Sequence, residues 1–164
     1  TRKAKIYESN GEVWHRTGDV GYFDDQGRIW FCGRKAHMCN SGDETYYSVK
    51  VEYCFSGLAG INRVALVNIS LNGQKVLALC IEPTQRFMSP TARRTIVTDI
   101  VQVARRYRIP LRVIAFHARQ FPVDKRHHAK IERHLLAKWV QDSLTRLRCN
   151  WAIYHVSMTN IAAR

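Results

Sequence analysis

Residues 14–38 read WHRTGDVGYFDDQGRIWFCGRKAHM, with Thr17-Gly18-Asp19 near the start and Gly33-Arg34 near the end. Between these motifs Asp24-Asp25-Gln26-Gly27 has turn chemistry, and Val13–Arg16 and the aromatic-rich Arg28–Cys32 have strand character. The pattern predicts a small hairpin-like unit. A Thr-Gly-Asp turn after a strand presents the Asp19 carboxylate in a fixed position, where two oxygens suit the vicinal hydroxyls of a ribose. Gly33 lets the backbone turn closely, and Arg34 supplies a planar fork of donors for hydroxyls, carboxylate or phosphate. Taken singly, each motif is ordinary turn or strand-end chemistry. The fifteen-residue step from Asp19 to Arg34 is what joins them.

From Gly33 to Tyr47 periodicity is lost and Asn40-Ser41-Gly42-Asp43 marks a loop, so a boundary between two units is expected near Lys35–His37. Beyond it, Val49–Phe55 predicts a short helix with Ser48 as N-cap. Arg63–Ser70 and Lys75–Glu82 predict two antiparallel strands around Asn72-Gly73, a strong hairpin signal. Ser89-Pro90 opens a helix with apolar positions at Ile96, Ile100, Val103 and Tyr107, until Pro110 halts it. Leu111–Phe116 returns to strand character, and Ile131, Leu135, Trp139, Val140, Leu144 and Leu147 predict a last helix. The order is α+β: short strands, then a small domain with a hairpin and a three-stranded sheet flanked by helices. The tail from Cys149 has little periodicity beyond Trp151–Val156 and receives no structure.

A third segment reads FPVDKRHHAKIER from Phe121 to Arg133. Pro122 stiffens a connection after a strand, and the segment then delivers Lys130 where the last helix begins. A cation at that end opposes the helix dipole, which points to a reason other than local stability.

The 164 residues are 46% hydrophobic, enough for a core, so disorder is not the default. The net charge is +13, with fifteen basic against four acidic residues between Arg86 and Arg148. The first half is electrostatically ordinary, so a uniform nucleic-acid coat is not indicated. Five cysteines without a CxxC pair suggest neither a disulfide framework nor a zinc ribbon. Reduced thiols in a cytoplasmic protein, with no metal site, are expected. Val76–Ile81 is too short to span a bilayer and residues 1–15 lack a signal-peptide core, so no transmembrane segment or export is expected. A chain opening on Thr1 in polar sequence reads as a piece of something longer.

In this order the three segments resemble the end of the adenylate-forming enzymes: acyl-CoA synthetases, fatty acyl-AMP ligases, luciferases and peptide-synthetase adenylation domains. That family's pattern is a Thr-Gly-Asp, a Gly-Arg before an interdomain hinge, and a Lys-Ile-x-Arg closing a loop near the C-terminus. Residues 1–6 (TRKAKI), 14–38 and 121–133 look most like the β-lactone synthetases of bacterial olefin and lactone biosynthesis. The resemblance covers roughly residues 1–140. It implies that Asp19 holds the ribose hydroxyls of ATP and of the acyl-adenylate, and that Arg34 sits beside the same nucleotide. It implies that Lys130 is catalytic, bridging the substrate carboxylate and α-phosphate as charge concentrates during adenylation. It places a hinge at Lys35 and Ala36, although Ala36 stands where the family often has Asp or Lys. Ala129 likewise replaces the usual glycine before the catalytic lysine.

The same resemblance divides the chain into terminal strands of a large AMP-binding domain (1–35), a C-terminal domain (36–142) and an unassigned tail (143–164). ATP and Mg2+ are implied, bound mainly by the missing N-terminal domain, without which the fragment is expected to be inactive. The implied partners are ATP or AMP and a long-chain carboxylic acid, with no nucleic acid. The implied function is carboxylate activation, with a long-chain β-hydroxy acid converted to a β-lactone. A neutral imidazole at His127 or His128 is suited to take the β-hydroxyl proton in that second step. The plainer reading, polar residues shaping a loop beside phosphate, is preferred. Alternatives are a long-chain fatty acyl-CoA or acyl-AMP ligase, a truncated relic without activity and, from another class, a basic nucleic-acid-binding module gripping phosphates with the 91–108 helix.

Overall fold

The computed structural model of the protein describes residues 4–124, 130–146 and 152–157. Three antiparallel hairpins come first. β1 (Lys5–Tyr7) pairs with β2 (Val13–His15), and β3 (Asp19–Phe23) pairs with β4 (Ile29–Arg34). After a single 3-10 turn at Lys35–His37, β5 (Cys39–Ser41) pairs with β6 (Glu44–Tyr46).

This pairing corrects the expected hairpin unit. Val13–His15 is taken by Lys5–Tyr7, and the aromatic strand β4 finds its partner in Asp19–Phe23. Gly21 breaks the alternation that would have marked β3 as a strand, and the ladder is bulged there, between Val20 and Gly21. The turn itself is as expected. Asp24 accepts the backbone N–H groups of Gln26 and Arg28, and its other oxygen accepts Arg28 Nε and Trp30 Nε1, each at 2.7 Å. The Trp30 hydrogen bond, then the Arg28 N–H, hold the Asp24 carboxyl down at about 2. β5 and β6 occupy the expected loop, since three-residue strands are too short to show an alternation.

Next come α1 (Ser48–Phe55), β7 (Ile61–Leu71), β8 (Gln74–Pro83), α2 (Pro90–Arg106), β9 (Leu111–Phe116), α3 (Arg133–Thr145) and β10 (Ile153–His155). The four-stranded sheet runs β10-β9-β8-β7, with β8 and β9 parallel and the other pairs antiparallel. β7 and β8 turn on Asn72 and Gly73 at φ +51° and +77°, the left-handed pair that an Asn-Gly hairpin needs. Ser89 caps α2, its side chain accepting the Ala92 N–H at 3.1 Å. α2 closes at Arg106, ahead of Pro110, because Arg108 turns left-handed at φ +52°.

Val76–Ile81 is a continuous apolar run because both faces of β8 are covered. Leu77, Leu79 and Ile81 pack with Phe55 of α1 and Ile96, Ile100 and Ala104 of α2. Val76, Ala78 and Cys80 face the other way, toward Leu136 and Val140 of α3 and Phe121. The result is three layers, with α1 and α2 on one side of the sheet and α3 on the other.

Two expectations change. The sheet has four strands rather than three, because Ile153–His155 in the unassigned tail pairs with Val113–Ala115. Tyr47, not Ser48, is the N-cap of α1; Ser48 is the first helical residue, and its buried hydroxyl finds no hydrogen bond among the described residues. The end of β4 passes over this helix start. A Cβ on Gly33 would lie 3.0 Å from Val49 Cγ2 and 3.4 Å from Ser48 Oγ, and Gly33 sits at φ +116°, so glycine is required on both counts.

Candidate functional site

The β3–β4 register sets Asp19 opposite Arg34. Arg34 Nε stands 3.5 Å from Asp19 Oδ1, and both side chains are exposed. The Asp19 N–H donates to Thr17 Oγ1 at 3.2 Å, and the Lys35 N–H donates to the Gly18 carbonyl at 2.8 Å. Thr17, Gly18 and Asp19 are thus fastened to Arg34 and Lys35 as one rigid corner. A carboxylate and a guanidinium side by side at a strand end can receive hydroxyls on one group and a phosphate or ring edge on the other.

Lys35 and Ala36 lie exposed in the 3-10 turn, where the hinge is expected, and His37 ends it half-buried. Burial, reinforced by the charges of Arg133, Lys130 and Arg34 in that order, holds the His37 pKa below its ordinary value. Lys130, from the far end of the chain, and Arg34, from the hairpin, therefore act on the same ring.

Lys130 is exposed and sits at the neck of a closed loop. The Asp124 N–H donates to the Lys130 carbonyl at 2.9 Å, Val123 bridges Ile131, and the Glu132 N–H donates to the Pro122 carbonyl at 2.8 Å. His127 and His128 lie outside the described residues. α3 starts at Arg133 rather than Ile131 because Ile131 is engaged with Val123.

Sequence reasoning gave no role to Arg133, Glu52 or His37, which meet here. Arg133 Nη2 lies 2.7 and 2.8 Å from the two Glu52 oxygens, and Nη1 lies 3.4 Å from His37 Nδ1. Glu52 Oε1 also accepts the Leu66 N–H of β7 at 2.7 Å. The ion-paired side chains are only 15% and 14% exposed. The available signals were the Arg133 that closes the Lys-Ile-x-Arg pattern and a lone carboxylate within Val49–Phe55. Their separation of 81 positions hid the contact.

Among the described residues no cluster of carboxylate, histidine or cysteine side chains is placed to hold a metal ion. Asp19 faces Arg34, Asp24 is saturated by its own turn, and Glu52 and Glu82 are each paired with an arginine. Cys32, Cys39, Cys54 and Cys80 are free thiols, and burial pushes Cys39 up to about 11. No helix among the described residues is long and apolar enough to cross a membrane.

The architecture matches the C-terminal domain of adenylate-forming enzymes. An anthranilate CoA ligase in complex with anthranoyl-AMP superposes with a TM-score of 0.68 at 19% identity, over 82% of this chain and 26% of that one. A Mycobacterium tuberculosis fatty acyl CoA synthetase gives 0.56 at 26% identity, over 87% and 26%. Within that class the sequence relatives include an olefin beta-lactone synthetase of Stenotrophomonas maltophilia, 40% identical over 149 residues, which are 88% of this chain and 26% of that protein. A long-chain-fatty-acid–CoA ligase of M. tuberculosis is 29% identical over 101 residues, which are 62% of this chain and 20% of that protein. The chain thus spans about a quarter of the length of the olefin beta-lactone synthetases it resembles. No protein-family model matches it.

Proposed function

We propose that this chain works as the C-terminal part of an ATP-dependent carboxylate-activating enzyme that forms an acyl-adenylate. The observation that carries the reading is the register of β3 and β4, which sets Asp19 against Arg34 immediately before the Lys35–His37 turn. In this reading Asp19 receives the ribose hydroxyls, Arg34 lies beside the same nucleotide, and the 3-10 turn is the swivel. Lys130, on its pinned loop, meets the carboxylate and α-phosphate when the domain swings in. A short turn between two packed units is the usual form of such a hinge. Mg2+ accompanying the nucleotide would be held by the rest of the enzyme, since the described residues bring no carboxylate cluster together.

Residues 1–35 are proposed to complete a larger domain. Phe23 and Ile29 are 71% and 70% exposed, with Trp14, Trp30 and Phe31 also open, so β1–β4 have little core of their own. Such a cluster of open aromatics is expected where a neighbouring domain covers it. Residues 36–142 form the swinging domain, and β10 adds one strand from the tail to its sheet.

For the second step, the 40% identity to olefin beta-lactone synthetases, against 29% to the fatty-acid ligase, favours ring closure of a long-chain β-hydroxy acid. The test is product analysis with the whole enzyme, ATP and such an acid. A β-lactone with AMP and pyrophosphate is expected. A CoA thioester from a plain fatty acid, with no lactone from the hydroxy acid, supports the ligase reading instead.

A further inference from the structure

Three residues after Lys130, Arg133 makes contacts that neither adenylation nor ordinary helix stability requires. It is the first residue of α3, where the helix dipole disfavours a cation, and Glu52 compensates it. Its guanidinium grips both Glu52 oxygens, while Glu52 is also tied to the backbone of β7 at Leu66. The remaining arm of the fork reaches His37 at the end of the 3-10 turn. Between Arg133 and Lys130 the backbone has no slack, because Ile131 bridges Val123, Glu132 is bonded to Pro122, and Lys130 is bonded to Asp124.

A buried ion pair gives weak support to stability as such, since an apolar pair of similar volume serves as well. A bidentate fork is instead suited to fixing orientation. We propose that Arg133 is a positioning residue for Lys130: it locks the base of the Lys130 loop to α1 through Glu52 and to the last residue of the hinge turn through His37, so that Lys130 and His37 move as one body on the swinging side of the swivel. The proposal rests on the reading of Lys130 as the adenylation cation. Arg133 touches no substrate; it acts by removing the freedom of a loop whose lysine must arrive within hydrogen-bond reach.

The test is a double-variant cycle in the whole enzyme, read by carboxylate-dependent exchange of pyrophosphate into ATP. Arg133→Lys keeps the charge and loses the fork. It is expected to lower the exchange kcat about tenfold or more while leaving KM for ATP within about twofold. In a Lys130→Ala background the same substitution is expected to change the residual rate less than about twofold, because no lysine is left to position. An undiminished tenfold loss in that background, or no loss beside an intact Lys130, overturns the proposal. His37→Leu removes only the third contact and serves if Arg133→Lys fails to fold. It is expected to show a smaller loss that also vanishes without Lys130, and a loss that persists there counts equally against the proposal. If Lys130→Ala alone leaves exchange intact, the reading beneath the proposal fails and the proposal falls with it. That result is distinct from an Arg133 effect that outlives Lys130.

Discussion

Asp19 and Arg34 lie opposite each other at the last pair of the β3–β4 ladder, 3.5 Å apart and open to solvent. An exposed pair of this kind contributes about 0–1 kcal/mol to the fold, so stability does not explain its placement. In the proposed function, its use lies in what the two groups offer to a bound nucleotide.

Asp19→Ala in the whole enzyme is therefore expected to weaken ATP and AMP binding about ten- to a hundredfold, the value of hydrogen bonds to a charged acceptor. The melting temperature should barely move. Calorimetric titration beside thermal unfolding checks both halves; an unchanged affinity removes Asp19 from the nucleotide site.

Gly33→Ala should behave in the opposite way. The substitution meets a strained backbone angle and the Val49 side chain together, so a loss of about 1–3 kcal/mol in denaturant unfolding is expected. A neutral result would mean that β4 does not pack against the start of α1.

His37 supplies a pH signature. Its pKa is lowered in the fold by burial and then by Arg133, Lys130 and Arg34, so the unfolded chain takes up the proton first as pH falls. The stability it contributes is complete above its ordinary value of 6.5 and is lost as pH drops below that value toward the folded pKa. Denaturant midpoints from pH 7.5 to pH 5 should therefore decline more steeply for the native sequence than for His37→Gln. Parallel declines would contradict it.

The tail gives a structural test. β10 covers the edge of β9, and Ile153 and Val156 are buried against the sheet. Ile153→Ala is expected to cost about 2–5 kcal/mol in chemical unfolding, as a buried aliphatic truncation does. A cost near zero would show that the tail is not part of the sheet.

Much of this architecture was legible where local chemistry decides it. Asn72-Gly73 forces a tight hairpin, Ser89-Pro90 starts a helix, and Leu111–Phe116 is a strand with the expected bounds. What escaped depends on partners far along the chain. Three residues at Ile153–His155 mean nothing until the edge of β9 is there to receive them. Glu52 and Arg133 likewise reveal each other only once β7 and α3 are packed. The motifs at Asp19, Arg34 and Lys130 were visible as residue types in order. That Asp19 faces Arg34, and that Arg34 and Lys130 both act on His37, came from topology and lay outside any spacing rule.

In the proposed function, Lys130 is delivered by this domain to a carboxylate and an α-phosphate. The most direct test is pyrophosphate exchange into ATP by the whole enzyme, with and without the carboxylic acid, for the native sequence and for Lys130→Ala. Acid-dependent exchange that falls about 10²- to 10³-fold in the variant, with ATP affinity nearly unchanged, is the expected result. Exchange of equal rate in the two proteins would contradict it.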